Sequence, residues 1–141
     1  MPDLSSLTYF LDSNVLFSAI YILSSPFRNL WMLADGTPVT SLYVVGEVSR
    51  HITTPAQQLR FDDLMAKTQI VSDADLSFVP QSVQLVEKDR PILAAAIAAS
   101  ADYLITGDKA HFSPLYGTRV SGVFVINPAD FLDRYEDRID N

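Results

Sequence analysis

The 141-residue sequence contains no cysteine. Disulfides, cysteine-held zinc sites and thiol nucleophiles are therefore excluded, and any metal must be bound through oxygen or through one of two histidines. No apolar run is long enough to span a bilayer, and Met1 to Leu11 lacks the basic start and long apolar segment of a signal peptide. These absences predict a cytoplasmic protein that does not enter a membrane.

Positive charge is also scarce. Ten Lys and Arg against 17 Asp and Glu give a formal charge of −7 and a pI near 4.5. This balance argues against a general basic surface for nucleic acid, since such binding scales with the phosphates that Lys and Arg neutralise. Carboxylates gathered around a cation would themselves contribute to the negative total. With many carboxylates and two histidines, a hard cation such as Mg²⁺ or Mn²⁺ fits better than zinc.

Apolar residues, in contrast, are plentiful. A hydrophobic content of 48% with 19% charged residues is typical of a packed globular chain and too apolar for a disordered one. The length is that of one ordinary domain. We therefore expect a single domain over residues 1–141, without repeats or low-complexity segments.

Short apolar runs alternate with segments of helical spacing along the chain. The predicted strands are Thr8–Leu11, Thr37–Thr40, Gln69–Val71, Tyr103–Thr106 and Val123–Ile126. The predicted helices are Val15–Ile22, Phe27–Leu33, Leu42–Ile52, Pro55–Lys67, Pro91–Ala101 and Pro128–Leu132. Residues 72–80 carry no firm element. The alternation predicts an α/β fold of three α/β/α layers, with a mainly parallel central sheet and Rossmann-like winding.

Two of the predicted strands end at an aspartate, Asp12 after the first and Asp108 after the fourth. Ligand crevices in open parallel sheets lie beyond the carboxyl ends of the strands. The usual winding would bring Asp89, before the buried helix, and Glu47 to the same edge. Crowded carboxylates repel by roughly 4 kcal/mol per pair at 4 Å with an effective dielectric near 20, so such a cluster must bind protons or cations.

Each of these acids also has a simpler structural interpretation. Asp12 and Asp89 stand where aspartate commonly caps a helix. Asp108 follows a glycine and suits a turn, and Glu47 suits a solvated helix face. Because a capping carboxylate can also bind a cation, the two interpretations are compatible.

Four segments of the sequence resemble the motifs of PIN domains. They are Phe10–Leu16 around Asp12, Leu42–Val48 around Glu47, Lys88–Ala96 around Asp89, and Ala101–Lys109 around the Thr-Gly-Asp at 106–108. The resemblance runs from Tyr9 to Leu132, with the motifs in the family's order. The stretch after His111 is similar to the ending of the bacterial and archaeal branch that includes toxins of toxin–antitoxin pairs.

The resemblance implies a metal-dependent endoribonuclease that hydrolyses RNA phosphodiester bonds with one or two Mg²⁺ or Mn²⁺ ions. It implies Asp12 and Asp108 as central ligands, and Glu47 and Asp89 as completing the cluster directly or through water. Asn14 and Thr106 are candidates for holding a carboxylate or a water, or for local capping.

Candidate phosphate contacts and partners complete this interpretation. Lys109, Arg90, Arg50 and His111 are candidates at the rim of the site, where each can equally be a solvated surface residue or, for His111, a packing residue. The expected partners are an RNA substrate, an antitoxin where the protein is a toxin, and a second copy of the chain. The apolar region 17–33 is the candidate dimer interface.

Two other functions fit the pattern less well. A receiver-like signalling domain also binds Mg²⁺ at a parallel sheet edge, but it expects adjacent acids after the first strand and a phosphoacceptor after the third. Here Asp12 stands alone, and Asp73 lies in a segment without a firm element. A PIN-like module that binds RNA or protein without turnover is the other alternative, and the presence of all four acids makes it less attractive.

Overall fold

The computed structural model describes residues 6–139 and is built around a six-stranded sheet. The strands are β1 (Leu7–Leu11), β2 (Gly36–Ser41), β3 (Gln69–Val71), β4 (Tyr103–Ile105), β5 (Arg119–Val120) and β6 (Val123–Ile126). The helices are α1 (Ser13–Tyr21), α2 (Leu42–Ser49), α3 (Pro55–Ala66), α4 (Arg90–Ala98), α5 (Lys109–Phe112) and α6 (Pro128–Arg134). Residues 1–5 and 140–141 of the predicted domain lie outside the described residues.

The strand order is β3-β2-β1-β4-β6-β5, and every neighbouring pair is parallel except β5 with β6. The predicted α/β class with a mainly parallel sheet is therefore confirmed. β1 lies between β2 and β4, with Phe10 opposite Val39 on one side and Leu104 on the other. The carboxyl ends of β1 and β4 consequently lie side by side, although 94 residues separate Asp12 from Thr106 along the chain.

Burial on both faces of the sheet holds these strand ends in place. Tyr9, Phe10 and Leu11 of β1 are fully buried, as are Leu104 and Ile105 of β4. Helix α4 contributes the buried run 92–96, which explains its lack of polar residues. Burial of each large apolar side chain stabilises the folded state by about 1.5–3 kcal/mol. The residues that follow these strands are therefore held in place by a well-packed core.

Most elements form where the sequence predicts them. Helix α3 has the strongest start signal, because Thr54 accepts a hydrogen bond from the Gln57 N–H while the Gln57 side chain binds back to the Thr54 N–H. This reciprocal pair is a capping box. The helix predicted to reach Ile52 ends at Ser49, and α4 ends at Ala98 before Ser100 adopts a positive φ of 54°.

One predicted helix is wrong, and strand β5 was not predicted. Residues Phe27–Leu33 do not form an α-helix; Pro26–Trp31 form a 3₁₀ helix instead. Leu30 is buried and Phe27 and Trp31 pack partly against the core, so a 3₁₀ helix also satisfies the apolar spacing that predicted an α-helix. Strand β5 has two residues, too few to show an alternating pattern. A 3₁₀ turn at Leu76–Phe78 lies in the segment for which nothing was predicted.

None of the helices formed by residues 6–139 has both the length and the apolar content needed to cross a bilayer.

Candidate active site

Asp12 lies at the carboxyl edge of the sheet, in the first position after β1. Its backbone N–H donates to the carbonyl of Ile105 at 3.1 Å, which ties the end of β1 to the end of β4. The side chain is 2% exposed. Oδ1 accepts from the Ser13 N–H at 2.7 Å, and Oδ2 accepts from the Thr106 hydroxyl at 2.8 Å. Asp12 therefore caps α1 and also faces the neighbouring strand end.

Asn14 and Thr106 connect the first and fourth motifs. The Asn14 side-chain amide donates to Asp12 Oδ2 at 3.2 Å, and its oxygen accepts from the Gly107 N–H at 2.7 Å. The Thr106 hydroxyl accepts from the Asp108 N–H at 3.1 Å while it donates to Asp12. A Cβ at position 107 would lie 3.1 Å from Asn14 Oδ1, so this close approach favours glycine. The side chains of Asn14 and Thr106 thus both donate to the Asp12 carboxylate.

Asp89 approaches the same edge from the start of α4. It ends a 3₁₀ turn, Glu87–Asp89, and is 6% exposed. Its side chain makes no capping hydrogen bond to the helix, so the simpler interpretation of this residue as a cap is not supported. The carboxylate instead lies against His111, whose Nδ1 is 2.7 Å from Asp89 Oδ2.

His111 is on the short helix α5, which Asp108 caps by accepting the His111 N–H at 3.3 Å. His111 Nδ1 lies 2.9 Å from Asp108 Oδ2 as well as close to Asp89. Its position is fixed in part by the next residue, Phe112, which is fully buried. The imidazole nitrogen thereby lies between two carboxylates from different parts of the chain.

Two of the contacts among Asp89, Asp108 and His111 have the spacing of neighbouring ligands around one ion. Asp89 Oδ2 and His111 Nδ1 are both buried, yet neither has a contact with the angles of a hydrogen bond. Ligands at about 2.1 Å from an octahedral ion lie about 3.0 Å from their neighbours, and the observed contacts are close to that value. One ligand atom from each of Asp89, Asp108 and His111 lies within 4.8 Å of the others. This group can hold a metal ion.

Electrostatics link this group to the remaining acids. Burial raises the pKa of Asp12 to about 6; hydrogen bonds from Thr106 and Ser13 oppose that rise, and the charges of Asp89 and Glu47 add to it. Burial also raises the pKa of Asp89, against the lowering effect of His111. Glu47 is half-buried on α2. Among residues 6–139 the compact three-atom group contains neither Asp12 nor Glu47, so these two acids are related to it through their charges.

The candidate phosphate contacts separate into different environments. Lys109 is exposed and lines a cavity of about 400 Å³ beside Gly107 and the start of α6. Arg50 is exposed just after α2. Arg90 is half-buried and donates to the carbonyl of Val83 at 3.2 Å, which anchors the segment before α4. His111 is half-buried and directs Nδ1 towards the carboxylates of Asp89 and Asp108.

Two tyrosines that the sequence analysis did not single out border the site. The Tyr116 hydroxyl donates to the Thr106 carbonyl at 2.6 Å, and the Tyr43 hydroxyl donates to the Lys88 carbonyl at 2.8 Å. Burial, followed by the nearby acids, raises the pKa of both side chains. Tyr43 lies within the Leu42–Val48 motif and Tyr116 lies outside the four motifs, and in neither place does the sequence pattern mark a tyrosine as part of the site.

No protein-family model matches the sequence, and no curated protein matches it significantly. Solved structures do match. A chain of VapBC2 from Rickettsia felis, bound to a DNA fragment from their promoter, superposes with a TM-score of 0.63 at 20% identity, covering 86% of this chain and 98% of that one. PAE2754 from Pyrobaculum aerophilum superposes with a TM-score of 0.61 at 15% identity, covering 93% and 90%. The chain has a PIN-like fold.

The PIN-like fold agrees with the position of the site. Asp12 and Asp108 follow neighbouring central strands, and Asp89 begins the helix packed beneath them. Identities of 15% and 20% establish the fold of the chain and leave its chemistry to be argued from its own residues.

Proposed function

We propose that the protein is a metal-dependent endoribonuclease with an active centre made by Asp12, Glu47, Asp89 and Asp108. The observation that carries this proposal is the convergence, in a PIN-like fold, of the buried Asp12 and Asp89 with Asp108, where Asp89 and Asp108 lie in a group that can hold a metal ion. Buried carboxylates without a counter-ion are costly, since each loses hydration and repels the others. A bound divalent cation would offset both the loss of hydration and the repulsion between the carboxylates. Metal binding would therefore explain why these acids lie together.

Mg²⁺ or Mn²⁺, when bound, would ease deprotonation of the attacking water and offset charge that develops on the phosphate. The resemblance implied Asp12 and Asp108 as the central ligands, whereas the spacing of the three-atom group favours Asp89 and Asp108. Asp12 and Glu47 would complete the negative cluster directly or through water. Asn14 and Thr106 would hold Asp12 in its orientation through the hydrogen bonds at 3.2 and 2.8 Å. These side chains then need no rearrangement when substrate arrives.

A cavity beside the acidic group supports a path for the RNA strand. The cavity of about 400 Å³ is lined by Phe27, Lys109, Pro128 and Asp130, and it begins next to Gly107. Lys109 offers a cation for a phosphate, and Phe27 offers an aromatic face. Single-stranded RNA is commonly bound through stacked bases and neutralised phosphates. The acidic charge of the whole chain makes a local contact of this kind more suitable than a wide basic surface.

The test is cleavage of a mixed, end-labelled RNA pool in Mn²⁺ or Mg²⁺, with EDTA as the metal-free control. Wild type is compared with Asp12→Asn and Asp108→Asn, and with Asp63→Asn as a matched control. Asp63 is an exposed acid on α3 that pairs with Lys67 at 3.4 Å. The expected result is metal-dependent cleavage by wild type and Asp63→Asn, and loss of cleavage in the other two variants.

Equal cleavage by all four proteins would indicate a contaminating nuclease. A folded wild type that binds metal and RNA without cutting would overturn the enzymatic proposal and favour a PIN-like binding module.

The strand order of the sheet disfavours the receiver-like alternative. Receiver-type folds have the order 2-1-3-4-5, with the third strand next to the first, whereas β3 here is an edge strand separated from β1 by β2.

We also propose that the protein is the toxin of a pair and is inhibited by a small antitoxin. The resemblance to the toxin-containing branch of PIN domains and the structural likeness to a VapBC2 chain support this. Co-expression with the product of a short neighbouring reading frame should give a complex that does not cut RNA. A cleavage rate unaffected by that product would contradict the proposal.

Self-association is proposed through the region that follows α1. Ile22 and Leu23 are exposed at 54% and 68%, and a cavity of about 560 Å³ lies nearby against Phe17 and Tyr21. Exposed apolar surface of this kind commonly marks an interface. Light scattering at micromolar concentration should give twice the chain mass of 15.6 kDa. A monomer under these conditions would contradict this part of the proposal.

A further inference from the structure

His111 is one of two histidines in the chain, and its setting differs from that of the other. His51 is exposed, and its Nδ1 lies 2.9 Å from the carbonyl of Glu47. His111 directs Nδ1 into the acidic group, where the atom is buried. The two residues therefore offer a natural comparison between a surface imidazole and one inside the candidate metal site.

A hydrogen bond does not account for the position of the His111 nitrogen. A neutral imidazole carries one N–H in the plane of its ring, and that single proton cannot serve two carboxylates on different sides. Neither contact, at 2.7 Å or 2.9 Å, has hydrogen-bond angles, and Asp89 Oδ2 is also without a hydrogen-bond partner among residues 6–139. Such atoms can share a cation as ligands, whereas a protonated imidazole would form an ion pair with each carboxylate. Metal titration and the nitrogen coupling of the bound ion distinguish these two states.

The ligand chemistry of this group is mixed, with two carboxylate oxygens and one imidazole nitrogen. Mg²⁺ is a hard ion that prefers oxygen throughout its shell, and it gains little from nitrogen. Transition-metal dications accept imidazole more readily, and Mn²⁺ combines that tolerance with a preference for carboxylates. The composition of the group therefore bears on which cation the site selects.

We propose that His111 Nδ1 ligates a divalent cation together with Asp89 and Asp108, and that this nitrogen makes the site select Mn²⁺ over Mg²⁺. The proposal rests on the metal-binding part of the proposed function. It requires Asp89 Oδ2, Asp108 Oδ2 and His111 Nδ1 to act as one ligand set. The short helix α5 keeps the imidazole three residues after Asp108, and the buried Phe112 anchors its end.

The test uses the full chain in the absence of RNA. Mn²⁺ is titrated into metal-free protein by calorimetry, and the bound ion is examined by pulsed electron paramagnetic resonance for coupling to a ligand ¹⁴N nucleus. His111→Gln is the test variant, since glutamine retains a polar side chain of similar reach. His51→Gln is the matched control, and thermal unfolding shows that each variant is folded.

Wild type and His51→Gln should show the ¹⁴N coupling, and His111→Gln should lose it. The ratio of Mn²⁺ to Mg²⁺ affinity should fall at least tenfold in His111→Gln and stay unchanged in His51→Gln. Coupling that persists in His111→Gln, or an unchanged affinity ratio in that variant, would overturn the proposal.

The spectroscopic result is separable from the nuclease assay. Bound Mn²⁺ without nitrogen coupling, in a protein that cleaves RNA, would overturn the role of His111 and leave the nuclease standing. Nitrogen coupling in a protein that never cuts RNA would support the ligand and overturn the enzyme. A wild type that binds neither cation would overturn both.

Discussion

The hydroxyl of Thr106 donates to Asp12 Oδ2 at 2.8 Å and is buried with it. The bond joins the first motif of the chain to the last, across neighbouring strands. It also acts on the charge of the acid, because it lowers a pKa that burial raises. Thr106 is thus a positioning residue for Asp12, and its removal should have consequences for both stability and metal binding.

Thr106→Val should lower the free energy of unfolding and the metal affinity more than Thr106→Ser does. Valine keeps the shape and removes the hydroxyl, which leaves a buried carboxylate with one donor fewer. Hydrogen bonds to charged groups contribute about 1.5–3 kcal/mol, so urea unfolding near pH 7 should show a loss of that order. Metal affinity should fall about 10–100-fold, as for other residues that support a ligand. Serine retains the donor, and equal losses in the two variants would contradict this role.

The free energy of unfolding of the metal-free protein should fall as pH rises from about 4 to about 6. The pKa of Asp12 is about 6 in the folded state, against 3.8 for the ordinary group. Between these values the folded state binds more protons than the unfolded state, so the slope of stability against pH is negative. The difference between the two pKa values of Asp12 changes the free energy of unfolding by about 3 kcal/mol in total, at 1.36 kcal/mol per pKa unit.

Denaturant unfolding in EDTA at a series of pH values measures this slope. Asp12→Asn should flatten it in part, with a remainder from Asp89, whose pKa is also raised. Asp63→Asn serves as the exposed control and should keep the wild-type slope. A variant at position 12 with the full wild-type slope would show that Asp12 is not the group responsible.

A divalent cation should stabilise the folded protein, because it offsets the free-energy cost of burying charged carboxylates. At a free Mn²⁺ concentration one hundred times the Kd, the free energy of unfolding should rise by about 2.7 kcal/mol. Asp89→Asn should need a much higher concentration for the same gain, because it loses a buried ligand. Thermal melts with and without EDTA test this expectation. A wild-type Tm that does not respond to Mn²⁺ would contradict a metal site in the folded state.

Lys109→Ala should weaken binding to a similar extent for RNAs of different sequence. Lys109 is exposed next to the acidic group, where it can neutralise one phosphate. Losing one such contact should reduce the slope of log affinity against log salt by about 0.7 for a single strand. Fluorescence anisotropy with a labelled RNA in Ca²⁺ or EDTA measures binding apart from cleavage. Lys67→Ala, in the residue that follows α3, is the control, and an equal change there would assign the effect to net charge alone.

The fold could be predicted largely from local pattern. Buried strands such as Phe10–Leu11 and the alanine-rich helix before β4 are short, apolar and bounded by turn residues, so their type follows from composition. The failed helix at 27–33 shows the limit. Phe27, Leu30 and Trp31 contact the core from a 3₁₀ helix, so apolar spacing alone did not distinguish this short helix from an α-helix.

The site was predictable in part for a similar reason. Asp12 and Asp108 follow strands, and the position of a strand end in a parallel sheet is a general rule. The role of His111 depends instead on Asp89, 22 positions earlier, which reaches the same point through the packing of α4. Such a contact leaves no local trace in the sequence. The roles of the four acids in catalysis stay predictions until the variants are measured.

The parallel pairing of β1 with β4 also has a consequence for the order of events during synthesis. Asp12 is made early and Asp108 late, and Asp12 receives its hydroxyl donor only when Thr106 is in place beside it. An incomplete chain therefore carries acids without the arrangement that joins them. The proposed ribonuclease would itself be translated from RNA, and this topology delays assembly of the centre until about three-quarters of the chain has been made.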